Sequence, residues 1–189
     1  MKKEKIQKIL EASYLNQNEA KDKLQDLGYQ YDPELSSNDN KVFIDKNGNP
    51  NIVFRGTHKY RVKDLVSDAA LALGLQKYNN RFKEAQHVTK LVEDKYHKPV
   101  DLYGHSLGGR LAEYVNNDKV GNIVTLNKGT GIFDIGKSIP KNQLDIRTTK
   151  DPFSALSMTQ QHKFGNYHEI PSPLTQGLLE AHSIKNLSA

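Results

Sequence analysis

Apolar positions along the chain recur first at helical spacing, then at strand spacing, and the switches between the two mark its elements. Over residues 3–27, Ile6, Ile9, Leu10 and Tyr14 share one helical face, and Leu24 and Leu27 add a further turn. Asn16 or Asn18 is placed to cap a second helix, and Gly28 to close it. The stripe is thin and interrupted, which favours a helical segment packed on a domain's flank over a membrane anchor. Residues 29–40 are polar, carry Pro33 and read as loop. Residues 41–45 and 51–55 read as strands joined through Asn47-Gly48, a strong hairpin signal. Residues 64–73 and 75–96 return to helical spacing, the second with Phe82, Ala85, Val88 and Leu91 to Val92 inward. Beyond Pro99 come a short buried strand from Val100, a helix over 107–116, and strands over 120–126 and 144–149. Strands alternating with helices imply a mostly parallel sheet covered on both faces. The expectation is an α/β fold in a single domain over 1–189, with 1–40 packed on it as an N-terminal helical segment.

Composition narrows the function classes. A chain of 189 residues can bury a sizeable single core. With 36% hydrophobic residues and a mean hydropathy of -0.71, its surface must be strongly polar. No apolar run reaches the length of a membrane span. The basic start Met1-Lys2-Lys3 is followed by no signal-peptide core, so the expected setting is cytoplasmic, or release by a non-classical route. The absence of cysteine excludes disulfides, thiolate metal sites and a cysteine nucleophile. The net charge is +5, but its 27 basic residues interleave with 22 acidic ones. That is a solvated surface, not a nucleic-acid stripe.

The candidate chemistry centres on Gly104-His105-Ser106-Leu107-Gly108, with a strand before it and a helix after it. This is the G-x-S-x-G nucleophile elbow in the context it requires. A serine on a sharp strand-to-helix turn is exposed at the helix N-terminus, where free N–H groups can stabilise an oxyanion. Such a hydroxyl needs a histidine base and a carboxylate to orient it, in the chain order Ser, acid, His. The histidines beyond Ser106 are His162, His168 and His182; His182, after the apolar stretch 174–181, is the favoured base. Among Asp118, Asp134, Asp145 and Asp151, the favoured acid is Asp151, just past a strand with Pro152 fixing the turn. Asp145 lies within that strand and is expected to point into the core or away from the site. The N–H of Leu107, with Gly56-Thr57 after an earlier strand, supplies candidate oxyanion donors. No metal or cofactor is implied, since the chain carries no H-E-x-x-H or clustered ligand set.

A rival pattern, Gly131-Ile132-Phe133-Asp134-Ile135-Gly136-Lys137-Ser138, matches the phosphate-binding G-x-x-x-x-G-K-[ST]. It needs a helix starting at Lys-Ser, and Pro140 with a strand from 144 leaves no room for one. A loop at the carboxyl edge of the sheet is the better reading.

Together, Phe54-Arg55-Gly56-Thr57, Gly104-His105-Ser106-Leu107-Gly108-Gly109, Asp151-Pro152 and Ala181-His182-Ser183 resemble class 3 lipases of the α/β-hydrolase fold, over roughly 41–187. The resemblance implies ester hydrolysis with Ser106 as nucleophile, Asp151 and His182 as its partners, and Thr57 and Leu107 as oxyanion donors. It implies a small-molecule or lipid ester as substrate, with transient lipid-surface contact, and neither nucleic acid nor an integral membrane segment. Asp68, or Asp64 nearby, resembles a family aspartate that braces the oxyanion loop. The chain differs from the family after the strand that follows the elbow, where Asn127-Lys128-Gly129-Thr130-Gly131 stands. A catalytically inactive relative acting as a binding module is the alternative.

Overall fold

Seven strands, among the residues described, form one sheet whose spatial order is the chain order. The computed structural model describes residues 2–57, 79–163 and 165–187. β1 (Gln30–Asp32), β2 (Asn40–Ile44) and β3 (Pro50–Phe54) run antiparallel. From β3 onward the pairing is parallel through β4 (Val100–His105), β5 (Val120–Leu126), β6 (Gln143–Thr148) and β7 (Tyr167–Ile170). The β2–β3 hairpin forms where Asn-Gly predicts it. Asp45 Oδ1 accepts the N–H groups of Asn47 and Asn49, each at 2.8 Å, and fixes the turn.

Period-two alternation sends neighbouring residues of each central strand to opposite faces. Ile52, Phe54, Leu102 and Ile123 face one way, and α3 (Asn79–Tyr96) and α4 (Leu107–Tyr114) cover them through Phe82, Val88, Val92 and Leu111. Val53, Tyr103, Val124 and Ile146 face the other way, onto α1 (Lys3–Ala12), α2 (Gln17–Asp26) and the 3₁₀ turn Ile184–Leu187. Each such side chain contributes roughly 1.5–3 kcal/mol by leaving water, more than an exposed ion pair, at about 0–1 kcal/mol, can. The two faces therefore carry the fold.

The N-terminal helical segment is two helices. Asn16 caps α2 in a reciprocal box with Glu19, and Gly28 closes it with Tyr29 N–H bonded to Leu24 C=O at 3.0 Å. The loop expected over 29–40 contains β1. Its alternation spans three residues, too short to register as a period. It is fixed instead by Tyr31 pairing with Phe43 and by Asp32 holding Lys95 and Tyr96 of α3 at 2.8 and 2.6 Å. The predicted helix over 64–73, and residues 75–78 of the next, lie outside the described residues. Leu91, expected inward beside Val92, is exposed instead, because one residue is about 100° of helical turn and only Val92 reaches the sheet. No helix among the described residues is long and apolar enough to cross a membrane.

Candidate active site

Parallel register brings the ends of four strands to one edge. Phe54 lies beside Gly104, Gly104 beside Thr125, and Thr125 beside Asp145. The segments that follow, carrying Thr57, Ser106, Asn127 and Asp151, therefore leave the sheet on the same side. Between β4 and α4 the backbone folds sharply at Ser106, with φ 57° and ψ -125°. A non-glycine residue occupies that region at a steric cost of about 1–3 kcal/mol, and only where its surroundings hold it there. Here Ser106 N–H donates to Leu126 C=O at 3.0 Å, and Ser106 C=O accepts from Gly109 and Gly129 at 3.0 and 3.1 Å. Gly108 is pressed against the Phe54 carbonyl and Gly104 against the backbone of Gly108. A Cβ at either glycine would overlap main-chain atoms, so the turn demands glycine on both sides.

His182 caps the short helix α5 (Leu178–Ala181) and is buried beside the elbow, its ring centroid 4.6 Å from that of His105. Its Nδ1 lies 2.7 Å from Asp151 Oδ1. The other carboxylate oxygen, Oδ2, accepts the N–H of Ser154 at 2.9 Å and also its hydroxyl. Burial pushes the Asp151 carboxyl upward, but the bonds from His182 and Ser154 outweigh it and hold the group below its ordinary value. Asp151 is thus an acceptor, which assigns the His182 proton to Nδ1 and leaves Nε2 with its lone pair free. Nε2 is buried and has no hydrogen-bond partner among the described residues. The histidine is oriented on its aspartate side, and its other nitrogen makes no bond to the Ser106 hydroxyl.

The backbone around His182 is gripped from both directions. The preceding carbonyl, Ala181 C=O, accepts from Asn127 Nδ2 at 3.1 Å, from Asn186 Nδ2 at 3.0 Å and from the Thr148 hydroxyl. The next carbonyl, His182 C=O, lies 2.7 Å from His105 Nε2. The Phe153 ring packs on the imidazole at 4.6 Å.

The second donor group lies just past β3. Arg81 of α3 donates to Arg55 C=O at 2.8 Å, and the Arg55 guanidinium meets Asp39 at 2.5 Å, which together fix where Gly56-Thr57 leaves the sheet. A Cβ on Gly56 would stand 3.1 Å from Ser106 Cβ, so this loop abuts the elbow. The Thr57 hydroxyl is buried without a partner among the described residues. Leu107 opens α4, and the first amide of a helix has no acceptor within it.

The remaining candidates are engaged elsewhere. Asp118 and His168 are exposed. Asp134 is held by Arg110 at 2.7 Å and by the N–H of Gly131 at 2.8 Å. Asp145 is buried, as expected for an in-strand residue, and is bound to Lys128, Thr125, Gln143 and His162. The segment 131–138 makes a single 3₁₀ turn, Ile132–Asp134, and no helix follows Lys137-Ser138. Asp64 and Asp68 lie outside the described residues. Sequence reasoning missed Asn127, Ser154 and Tyr14. Only the departure from the family pattern at 127–131 signalled the first, and no local pattern signals the others. Among the described residues there is no cluster of three or more acidic or histidine side chains suited to a metal ion. No family model matches the chain, and no curated protein matches it.

Proposed function

We propose that this chain is a serine hydrolase of the α/β-hydrolase fold, similar to class 3 lipases, that cleaves carboxylic esters through a Ser106–His182–Asp151 triad. One observation carries the reading. Two buried polar atoms on the segments that meet at the elbow, His182 Nε2 beside His105 and Thr57 Oγ1 next to Gly56, lack partners among the described residues. A buried polar atom left unpaired costs about 1–3 kcal/mol. These two are an acceptor and a donor, the pair that acyl transfer to a serine requires.

In this mechanism the Ser106 oxygen attacks the ester carbonyl while Nε2 of His182 takes its proton. Asp151 holds the Nδ1–H tautomer and stabilises the imidazolium. The carbonyl oxygen becomes an oxyanion facing the Leu107 N–H and the Thr57 hydroxyl. Collapse of the tetrahedral intermediate expels the alkoxide, which leaves as the alcohol with the proton from Nε2. Water, deprotonated by the same nitrogen, then releases the acid and restores Ser106. The test is labelling by a fluorophosphonate together with turnover of a short-chain p-nitrophenyl ester, both expected in the wild type and absent in Ser106→Ala. A wild-type chain that is neither labelled nor active refutes the proposal.

A second reading, a non-catalytic relative that binds a ligand at this edge, is favoured by the unformed bond between Nε2 and Ser106. Such bonds tighten in many enzymes only when substrate is bound, and the labelling experiment separates the two readings.

A further inference from the structure

Two groups that the proposed chemistry leaves idle are linked to both halves of the site. Tyr14, just past α1, places its hydroxyl 2.7 Å from His105 Nδ1. The same phenol oxygen lies against Gly56, where a Cβ would overlap it. The opposite nitrogen of the ring, His105 Nε2, lies 2.7 Å from His182 C=O.

Donor counting fixes every proton in this chain. A carbonyl can only accept, so His105 Nε2 carries the hydrogen. In a neutral ring Nδ1 is then an acceptor, and Tyr14 must donate to it. Burial pushes the His105 ring far down, to about 3, so it is neutral at ordinary pH. The phenol, with its proton committed to Nδ1, packs its oxygen against Gly56. One directed path thus runs from the Tyr14 hydroxyl, packed against Gly56, through His105 to the carbonyl of His182. Gly56 is confined to glycine here, because a Cβ would run into the Tyr14 oxygen and stand 2.7 Å from His105 C=O.

We infer that Tyr14 and His105 are positioning residues that lock the oxyanion loop and the catalytic base to each other, making the N-terminal helical segment part of the active site. This rests on the serine-hydrolase reading above. The hydroxyl of Tyr14 is the only part of that side chain the bridge needs, so removing one oxygen should detune catalysis without emptying the core. His105 divides the same way. Glutamine keeps a donor at the reach of Nε2 but loses the acceptor for Tyr14, whereas asparagine keeps the near acceptor and cannot reach His182.

The experiment measures kcat and KM on a short-chain p-nitrophenyl ester, per serine titrated with fluorophosphonate, for wild type, Tyr14→Phe, His105→Gln, His105→Asn and the double variant Tyr14→Phe/His105→Asn. The expected result is a loss of kcat of about 10-fold in Tyr14→Phe and about 100-fold in His105→Asn, with KM within about twofold. His105→Gln should retain more activity than His105→Asn. The double variant should be no worse than His105→Asn alone, because both changes cut the same path. Imidazole ¹⁵N spectra of the wild type should show His105 protonated on Nε2 and not on Nδ1. If Tyr14→Phe keeps its kcat per titrated serine within twofold, if the losses simply multiply, or if His105 carries its proton on Nδ1, the inference fails while the hydrolase reading stands. A wild-type chain that is neither labelled nor active overturns both.

Discussion

Among the described residues two buried aspartates, Asp151 and Asp145, each meet a histidine, and the two pairs differ in what is left over. In the pair His182–Asp151 the nitrogen far from the carboxylate has no partner. In the pair His162–Asp145 both nitrogens are used: Nε2 faces Asp145 at 3.2 Å and Nδ1 faces Gln160 C=O at 3.0 Å. The carboxylates differ in the same way. Asp151 receives only hydrogen-bonding groups, from Ser154 and His182. Asp145 receives a full cation, Lys128 at 2.8 Å, which Glu113 meets from its other side at 2.5 Å. One pair is a closed electrostatic knot that holds the loop after β5 to α4 and β6. The other is aimed and unfinished. An Asp–His contact alone therefore says nothing about chemistry; the unused valence does.

The sharpest way to break this contrast is to remove each imidazole. His182→Ala should lower kcat by about 10⁴-fold with little change in KM, whereas His162→Ala should leave turnover within about threefold; steady-state kinetics on one ester decides it. Equal losses would mean that the knot also serves the chemistry. The carboxylates should reverse the order when stability is measured. Asp145→Asn leaves Lys128 buried with one partner fewer and should cost about 3 kcal/mol in denaturant unfolding, while Asp151→Asn, facing no cation, should cost about 1–2 kcal/mol. A further effect is in acid. Burial would raise the Asp145 carboxyl, but His162 and Lys128 overcome it and bring the group down to about 2 from its ordinary 3.8. A folded-state value below the unfolded one gives stabilisation that is present above about pH 4 and lost as pH falls through about 2. It amounts to about 2 kcal/mol. Asp145→Asn should flatten the stability curve over that window.

How much of this could be read from the chain follows the range of each signal. The elbow was legible because strand, Gly-x-Ser-x-Gly and helix are contiguous and each residue type has a local steric reason. Asp-Pro at a strand end and the order in which such sheets present their groups were enough to put Asp151 and His182 together, and the two side chains do meet. The hairpin and the two-faced sheet followed from period and turn chemistry. Other features depend on partners far away in the chain. Tyr14 looked like one more apolar-face residue, since nothing nearby announces that its hydroxyl meets His105, 91 residues on. Asn127, at φ 48°, bonds Thr148 and Ala181 at once, and neither contact leaves a local trace. β1 was invisible for the same reason: three residues make no period, and its place is set by β2 and by α3.

The meeting of His105 with His182, 77 residues later, also has a temporal side. A ribosome adding about 5–20 residues per second needs roughly 4–15 s to travel from one to the other. On the proposed chemistry, a nascent chain over that interval carries the Ser106 hydroxyl without the imidazole that would arm it. The α1 helix, made first, can lodge fully only when the Ile184–Leu187 turn arrives to pack against it. On the proposed chemistry the protein is born latent, and esters around the translation machinery are spared until the chain has closed on itself.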